Sequence, residues 1–174
     1  MPSPEERARK VRLMVLDVDG VLTDAGIYYD AEGRILKRFN VQDGLGIKLA
    51  QREGLTFAVI TGLDQPAVAA RVRELGITDY SGGHLEKMPF LTELVERKGL
   101  TFDEVAYLGD DWIDAKPLRA VGMPMAVANA QPEIKTLAAW ISEKPGGQGA
   151  VREAISFILR AQGKYEEMWR AWSE

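Results

Sequence analysis

Short apolar runs alternate with longer amphipathic stretches along this chain, and the alternation predicts its elements. Val11 to Leu16 is rich in β-branched residues and stops at carboxylates, the pattern of a buried strand. GIYYD and GRILKRF are strand-like pieces joined through Ala31, Glu32 and Gly33, which predicts a hairpin over about 25–39 turning at Gly33. A helix capped by Asp43 is expected through Glu53, with Leu45, Ile47, Leu49 and Ala50 on its apolar face and Gly54 closing it. Thr56 to Ile60 reads as a second buried strand, followed by Thr61-Gly62 and a helix from Pro66 to Leu75.

The alternation continues with a short strand near Thr78 to Tyr80, a helix over about Glu86 to Lys98, and a strand from Val105 to Leu108. Thr101 and Glu104 have capping-box spacing, but they lie so close to that strand that only a short turn fits. GDDWID follows, then a helix leading to MPMAVAN, and a last helix over about Ala150 to Gln162 after GGQG. Strands alternating with helices imply an α/β fold, a Rossmann-like, mainly parallel sheet sandwiched by helices. No internal repeat or linker interrupts it, so residues 1–174 are expected to form one domain carrying a small hairpin insertion and no cap domain.

Composition narrows the chemistry. The 22 Lys+Arg against 26 Asp+Glu leave a net charge of -4, which disfavours nucleic acid or an anionic membrane as main partner. No apolar run reaches the roughly 20 residues that span a bilayer, and MPSPEERARKVR lacks a signal-peptide core, so a cytoplasmic protein is expected. With no cysteine and one histidine, His84, the chain has no thiolate chemistry, and a Ser-His-Asp triad is disfavoured. His84 reads as a loop residue. Carboxylates, hydroxyls, lysines and a hard metal are left to carry any catalysis.

Parallel sheets place ligands beyond the carboxyl ends of their strands. Asp17 and Asp19 follow the first strand, Thr61-Gly62 the second, and Asp110-Asp111 a later one, so all are expected at one edge. Carboxylates gathered there repel one another unless a cation such as magnesium neutralises them, with Asp17 and Asp110 as direct ligands. Such an ion also takes substrate phosphate oxygens. Asp17 then suits attack on phosphorus, and Asp19 suits protonation of the leaving oxygen. Gly20 frees the backbone to turn, Thr61 and Gly62 suit phosphate oxygens, and Lys87 supplies positive charge. Taken singly, Thr-Gly is an ordinary turn, Lys87 a solvated helix residue and GDDxxD an acidic helix start. Their order along an α/β chain joins them.

Asp17-Val-Asp-Gly, Thr61-Gly62, Lys87 and Gly109-Asp-Asp-x-x-Asp114 resemble the four motifs of the haloacid dehalogenase superfamily, in order and over most of the chain. With only a hairpin after the first motif and one helix and strand after the second, the chain resembles the capless subgroup typified by 3-deoxy-D-manno-octulosonate 8-phosphate (KDO 8-phosphate) phosphatase. DGVLTDAGIYY, FNVQDGLGIKLA, RVRELGI and GGQGAVRE carry the likeness. The resemblance implies a magnesium-dependent phosphomonoesterase acting on a phosphorylated sugar acid in cell-surface polysaccharide synthesis, such as that of lipopolysaccharide. It also implies a homotetramer whose hairpins form a central barrel, each active site being completed by a neighbour. By the same resemblance Asp17 is nucleophile and metal ligand. Asp19 is acid/base and binds metal through its carbonyl, and Asp110 is the third ligand. Asn40, Val41, Gln42, Asp43, Gly44 and Lys48 match the substrate-contacting segment, Arg71 and Lys87 match basic contacts, and Asp111 and Asp114 orient the metal shell.

Two positions depart from the subgroup, which usually carries arginine where this chain has Leu63 and Gln148. Neither can pair bidentately with a sugar-acid carboxylate. A 2-keto-3-deoxy nonulosonate 9-phosphate or another sugar phosphate therefore stays open as substrate. So do a phosphoacceptor signalling domain and a non-catalytic sugar-phosphate-binding subunit. Tyr165, Met168, Trp169 and Trp172 fall along one helical face, to be covered by the chain's own body or by another subunit.

Overall fold

The computed structural model describes residues 2–174; Met1, where both the leaderless N-terminal reading and the 1–174 domain begin, lies outside them. Six strands form one parallel sheet in the order β5-β4-β1-β6-β7-β8: β1 Leu13–Leu16, β4 Thr56–Ile60, β5 Asp79–Ser81, β6 Val105–Gly109, β7 Met123–Ala126 and β8 Trp140–Ile141. β2 (Tyr28–Tyr29) and β3 (Ile35–Leu36) make a separate antiparallel hairpin, with Tyr28 opposite Leu36. The helices are α1 Pro4–Ala8, α2 Val41–Arg52, α3 Pro66–Glu74, α4 Met88–Arg97, α5 Ala115–Ala120, α6 Pro132–Leu137, α7 Ala150–Ala161 and α8 Tyr165–Ser173. α2 and α1 pack against α7, while α5 packs against α4 and α6, so helices flank the sheet.

β1 and β6 are buried throughout, because helices cover both faces of a central parallel strand. Successive strands run outward from β1 through β4 to β5, and the chain then crosses back to β6 on the other side of β1. That reversal opens a crevice between the carboxyl ends of β1 and β6, where Asp17 and Asp110 begin their loops.

Several boundaries differ from expectation. α2 starts at Val41 and is capped by Asn40, not Asp43. Asn40 is extended and its Oδ1 accepts N–H from Gln42 at 2.7 Å, which leaves Asp43 inside the first turn. β1 begins at Leu13, since the Val11 amide donates to Ala8 at the end of the N-terminal turn. β5 is shifted one residue, and α4 starts at Met88, one residue after Lys87. Thr101 and Glu104 do close a capping box on a single turn, Phe102–Glu104. α1, α6 and β8 are too short for periodicity to reveal. α8 carries the aromatic stripe: Tyr165 and Met168 pack on the core, with the Arg160 guanidinium 3.9 Å from the Tyr165 ring centre, whereas Trp169 stays 59% exposed. Among the described residues no helix is long and apolar enough to cross a membrane.

Candidate active site

β1 delivers Asp17 into the crevice by extending its ladder one step, the Asp17 amide donating to Leu108 on β6. The chain then turns sharply. Gly20 has φ +92°, and a Cβ there would lie 2.0 Å from Asp110 Oδ2, so only glycine lets this loop approach the second carboxylate. Thr23 secures the loop through its hydroxyl to Val18. Asp24, the third carboxylate of the segment, faces away from the cluster: its Oδ1 accepts N–H from Gly26 at 3.0 Å and its Oδ2 accepts the Tyr28 hydroxyl at 2.7 Å. It ties the loop to the hairpin.

Lys87 lies in the middle of the cluster, only 1% exposed, and donates to Asp17 Oδ1 and Asp114 Oδ1, both at 2.6 Å. Tyr107 also donates its hydroxyl to Asp114 Oδ1, at 2.7 Å, and Asp114 Oδ2 accepts the Asp110 amide at 3.0 Å. Both Asp114 oxygens are thus committed within the protein, which suits a group that orients its neighbours. Asp110 differs. Its Oδ1 is buried with no hydrogen-bond partner among the described residues, an arrangement that is costly without a ligand.

Electrostatics point the same way. Burial first, then the Asp114 charge, raises the Asp17 pKa well above the usual carboxylate range. Burial and the Asp17 charge do the same to Asp110. Burial works against the Lys87 ammonium, but Asp17 and Asp114 outweigh it and hold its pKa above the ordinary value. One lysine does not neutralise three carboxylates. Oxygens of Asp17, Asp110 and Asp114 lie within 4.8 Å of one another, so Asp17 and Asp110 fit as ligands of a hard divalent cation beside the already committed Asp114.

The other expected residues are placed as follows. Thr61 is buried at the end of β4, its amide bonded to Ser81, and Gly62 lies beside Leu85 and Ile113. Asp111 is exposed and caps the turn Trp112–Asp114. Val41 and Gln42 are exposed at the start of α2, whereas Asp43 and Gly44 are buried. Arg71 braces that start, donating to the Asn40 carbonyl and to Glu74. Lys48 lies on the side of α2 that faces the end of α3, by Glu74 and Leu75, rather than beside the carboxylate cluster. His84 stacks on Phe90 with ring centres 3.8 Å apart, a packing role.

Two site residues escape the sequence reading. Tyr107 is the one polar tip in the otherwise aliphatic β6, and a buried phenol demands a partner, so a signal was present. Lys37 follows β3, and its buried ammonium forms an ion pair with Asp19. A lysine beside a hairpin strand reads as solvated, so nothing local marks it.

Residues 77–155 match the haloacid dehalogenase-like hydrolase family model. The chain is 42% identical to the KDO 8-phosphate phosphatase of Escherichia coli strain K12 over 92% of this chain and 86% of that one. Its fold superposes on a crystal structure of the Moraxella catarrhalis enzyme in complex with magnesium, phosphate and KDO with a TM-score of 0.95, at 35% identity and 98% coverage of both chains. The cobalt-bound Haemophilus influenzae enzyme gives a TM-score of 0.89 at 37% identity, covering 94% of this chain and 99% of that one. Motif order, site geometry and similarity along nearly the whole length agree: the chain belongs to the KDO 8-phosphate phosphatase family of haloacid dehalogenase-like hydrolases.

Proposed function

We propose that this protein is a magnesium-dependent phosphatase that hydrolyses KDO 8-phosphate through an aspartyl-phosphate on Asp17. The observation that carries the reading is the buried cluster in which Lys87 holds Asp17 while Asp110 Oδ1 has no hydrogen-bond partner among the described residues. The Asp17 side-chain carboxylate, the backbone carbonyl of Asp19 and the Asp110 carboxylate would hold magnesium, which supplies Lewis-acid stabilisation of phosphate charge. The Asp17 carboxylate attacks phosphorus as the phosphorus–oxygen bond to the sugar breaks, and Asp19 gives its proton to the departing oxygen. Asp19 then takes a proton from water, which attacks the aspartyl-phosphate, releases inorganic phosphate and restores Asp17. The Lys87 bond fixes the rotation of the Asp17 carboxylate, and Thr61 and Gly62 receive phosphate oxygens.

A carboxylate two residues after the nucleophile favours hydrolysis over a persistent phosphoryl mark, which speaks against a signalling domain. Asn40, Val41, Gln42, Asp43, Gly44 and Lys48 are the segment matched to substrate contacts, with Arg71 and Lys87 the matched basic contacts. A nonulosonate 9-phosphate or another sugar phosphate is the second reading, kept open because Leu63, 45% exposed, and the exposed Gln148 stand where the subgroup usually carries arginine. The assembly would be a cytoplasmic homotetramer of one-domain chains, each site completed by a neighbour. Tyr29, 66% exposed, with Ile27 and Leu36 also exposed, gives the isolated hairpin an apolar surface that a second copy can cover.

Phosphate release from KDO 8-phosphate, a nonulosonate 9-phosphate and p-nitrophenyl phosphate tests the reading. The highest kcat/KM is expected for KDO 8-phosphate, with all turnover lost in a chelator. Preference for the nonulosonate selects the second reading, and no turnover of any ester removes the enzyme.

The raised carboxyl pKa values also set a pH dependence. Without the cation, the folded chain keeps protons on Asp17 and Asp110 that the unfolded chain has already released, so stability falls as pH rises from about 4 through about 7 to 8. The cation needs the deprotonated forms, and its stabilising effect therefore grows with pH. Saturating magnesium is expected to raise Tm more at about pH 8 than at about pH 6 in thermal unfolding; equal shifts would contradict this charge assignment.

A further inference from the structure

The loop Gly146–Gly149 sits directly on the nucleophile loop. A Cβ on Gly146 would fall 1.7 Å from the Gly20 carbonyl oxygen, and the Gly147 amide donates to the Val21 carbonyl at 3.0 Å. The Gly147 carbonyl accepts from Arg38 Nη1 at 3.1 Å and from Asn40 Nδ2 at 3.4 Å. α7 begins immediately afterwards, and its cap residue, Gly149, has no side chain to satisfy the helix's first amides. Asp43 satisfies one of them from another helix: it is 1% exposed, its Oδ1 accepts the Arg152 amide at 2.8 Å, and its buried Oδ2 has no hydrogen-bond partner among the described residues. A carboxylate there also meets the positive end of the α7 dipole. Asn40 meanwhile caps α2 with Oδ1 and holds the glycine loop with Nδ2.

We infer that Asn40 and Asp43 are positioning residues that hold the Gly146–Gly149 loop, and through it the Gly20 turn, in place without themselves touching substrate. The inference rests on the phosphatase reading above and gives the matched segment a division of labour. The exposed residues Val41 and Gln42 are left to face substrate. Asn40 and Asp43 set the shape of the wall that the loop forms beside the phosphate site.

Two substitutions separate positioning from contact. Asn40→Asp keeps the oxygen that caps α2 but replaces the amide donor with an oxygen facing the Gly147 carbonyl. Asp43→Asn keeps the acceptor for Arg152 and removes the charge. Asn40→Asp is expected to speed amide exchange from Gly147 to Arg152 and to raise KM for KDO 8-phosphate roughly three- to tenfold. Its Tm is expected to stay near wild type. Asp43→Asn is expected to keep KM within about twofold, because the helix end still finds an acceptor, whereas Asp43→Ala matches Asn40→Asp in exchange and KM. Should Asp43→Ala not fold, Asn40→Asp and Asp43→Asn decide alone. An unchanged exchange rate and KM in Asn40→Asp, or an Asp43→Asn KM raised tenfold or more, overturns the inference. The exchange readout needs no substrate, so it stands apart from failure of the wild type to hydrolyse KDO 8-phosphate.

Discussion

Asp17→Asn is expected to lower kcat by on the order of 10⁴-fold or more while leaving the fold intact. The amide cannot form the phosphoenzyme, yet its oxygen still accepts from Lys87, so the 2.6 Å contact at the centre of the cluster survives. The substitution also removes a carboxylate whose ionisation is opposed by burial and by Asp114. In a chelator the variant should therefore unfold at a Tm equal to or above that of the wild type, most clearly at about pH 8. Phosphate-release kinetics and thermal unfolding check the two halves separately. Turnover near the wild-type level would end the nucleophile assignment, and a large drop in Tm would end the account of the cluster's charge.

Lys87→Met keeps much of the side-chain volume and deletes the ammonium. Asp17 and Asp114 each lose a 2.6 Å partner in a buried cluster. Breaking a buried ion pair on one side typically costs about 3–5 kcal/mol, and that is the loss expected in denaturant unfolding at about pH 8 without metal. At about pH 5 the loss should be smaller, because Asp17 and Asp110, already raised, then carry protons in the folded chain. Activity should fall by about 10²–10³-fold with saturating magnesium, the usual effect of losing one donor to developing charge. A variant as stable as the wild type at both pH values would show that Lys87 does not balance the cluster.

The chemistry was legible because a parallel sheet converts sequence position into spatial position. Asp17, Thr61 and Asp110 each follow a strand, and strands that run the same way deliver their following residues to one edge. Lys87 could be matched by motif order, but its burial could not be foreseen: it is brought to Asp17 across 70 residues by the packing of α4. Lys37 shows the same limit more sharply, since only the fold of the hairpin brings it to Asp19. The Asn40 cap was missed in favour of Asp43 because both residue types cap helices, and the choice depends on which side chain a second helix claims. α7 claims Asp43.

Local order was therefore written in the chain: the alternation of strand and helix, the carboxylates at strand ends, the hairpin turn at Gly33 and the capping box at Thr101 and Glu104. These follow from backbone sterics and short-range periodicity, which need no distant partner. Tertiary structure decided the rest: which Asp110 oxygen has no partner among the described residues, which carboxylate Lys87 shares with Asp17, and how Asp43 meets the start of a helix more than a hundred residues later. Charge balance and hydrogen-bond satisfaction in a buried site depend on every group within a few ångströms, and those neighbours come from segments far apart in the chain.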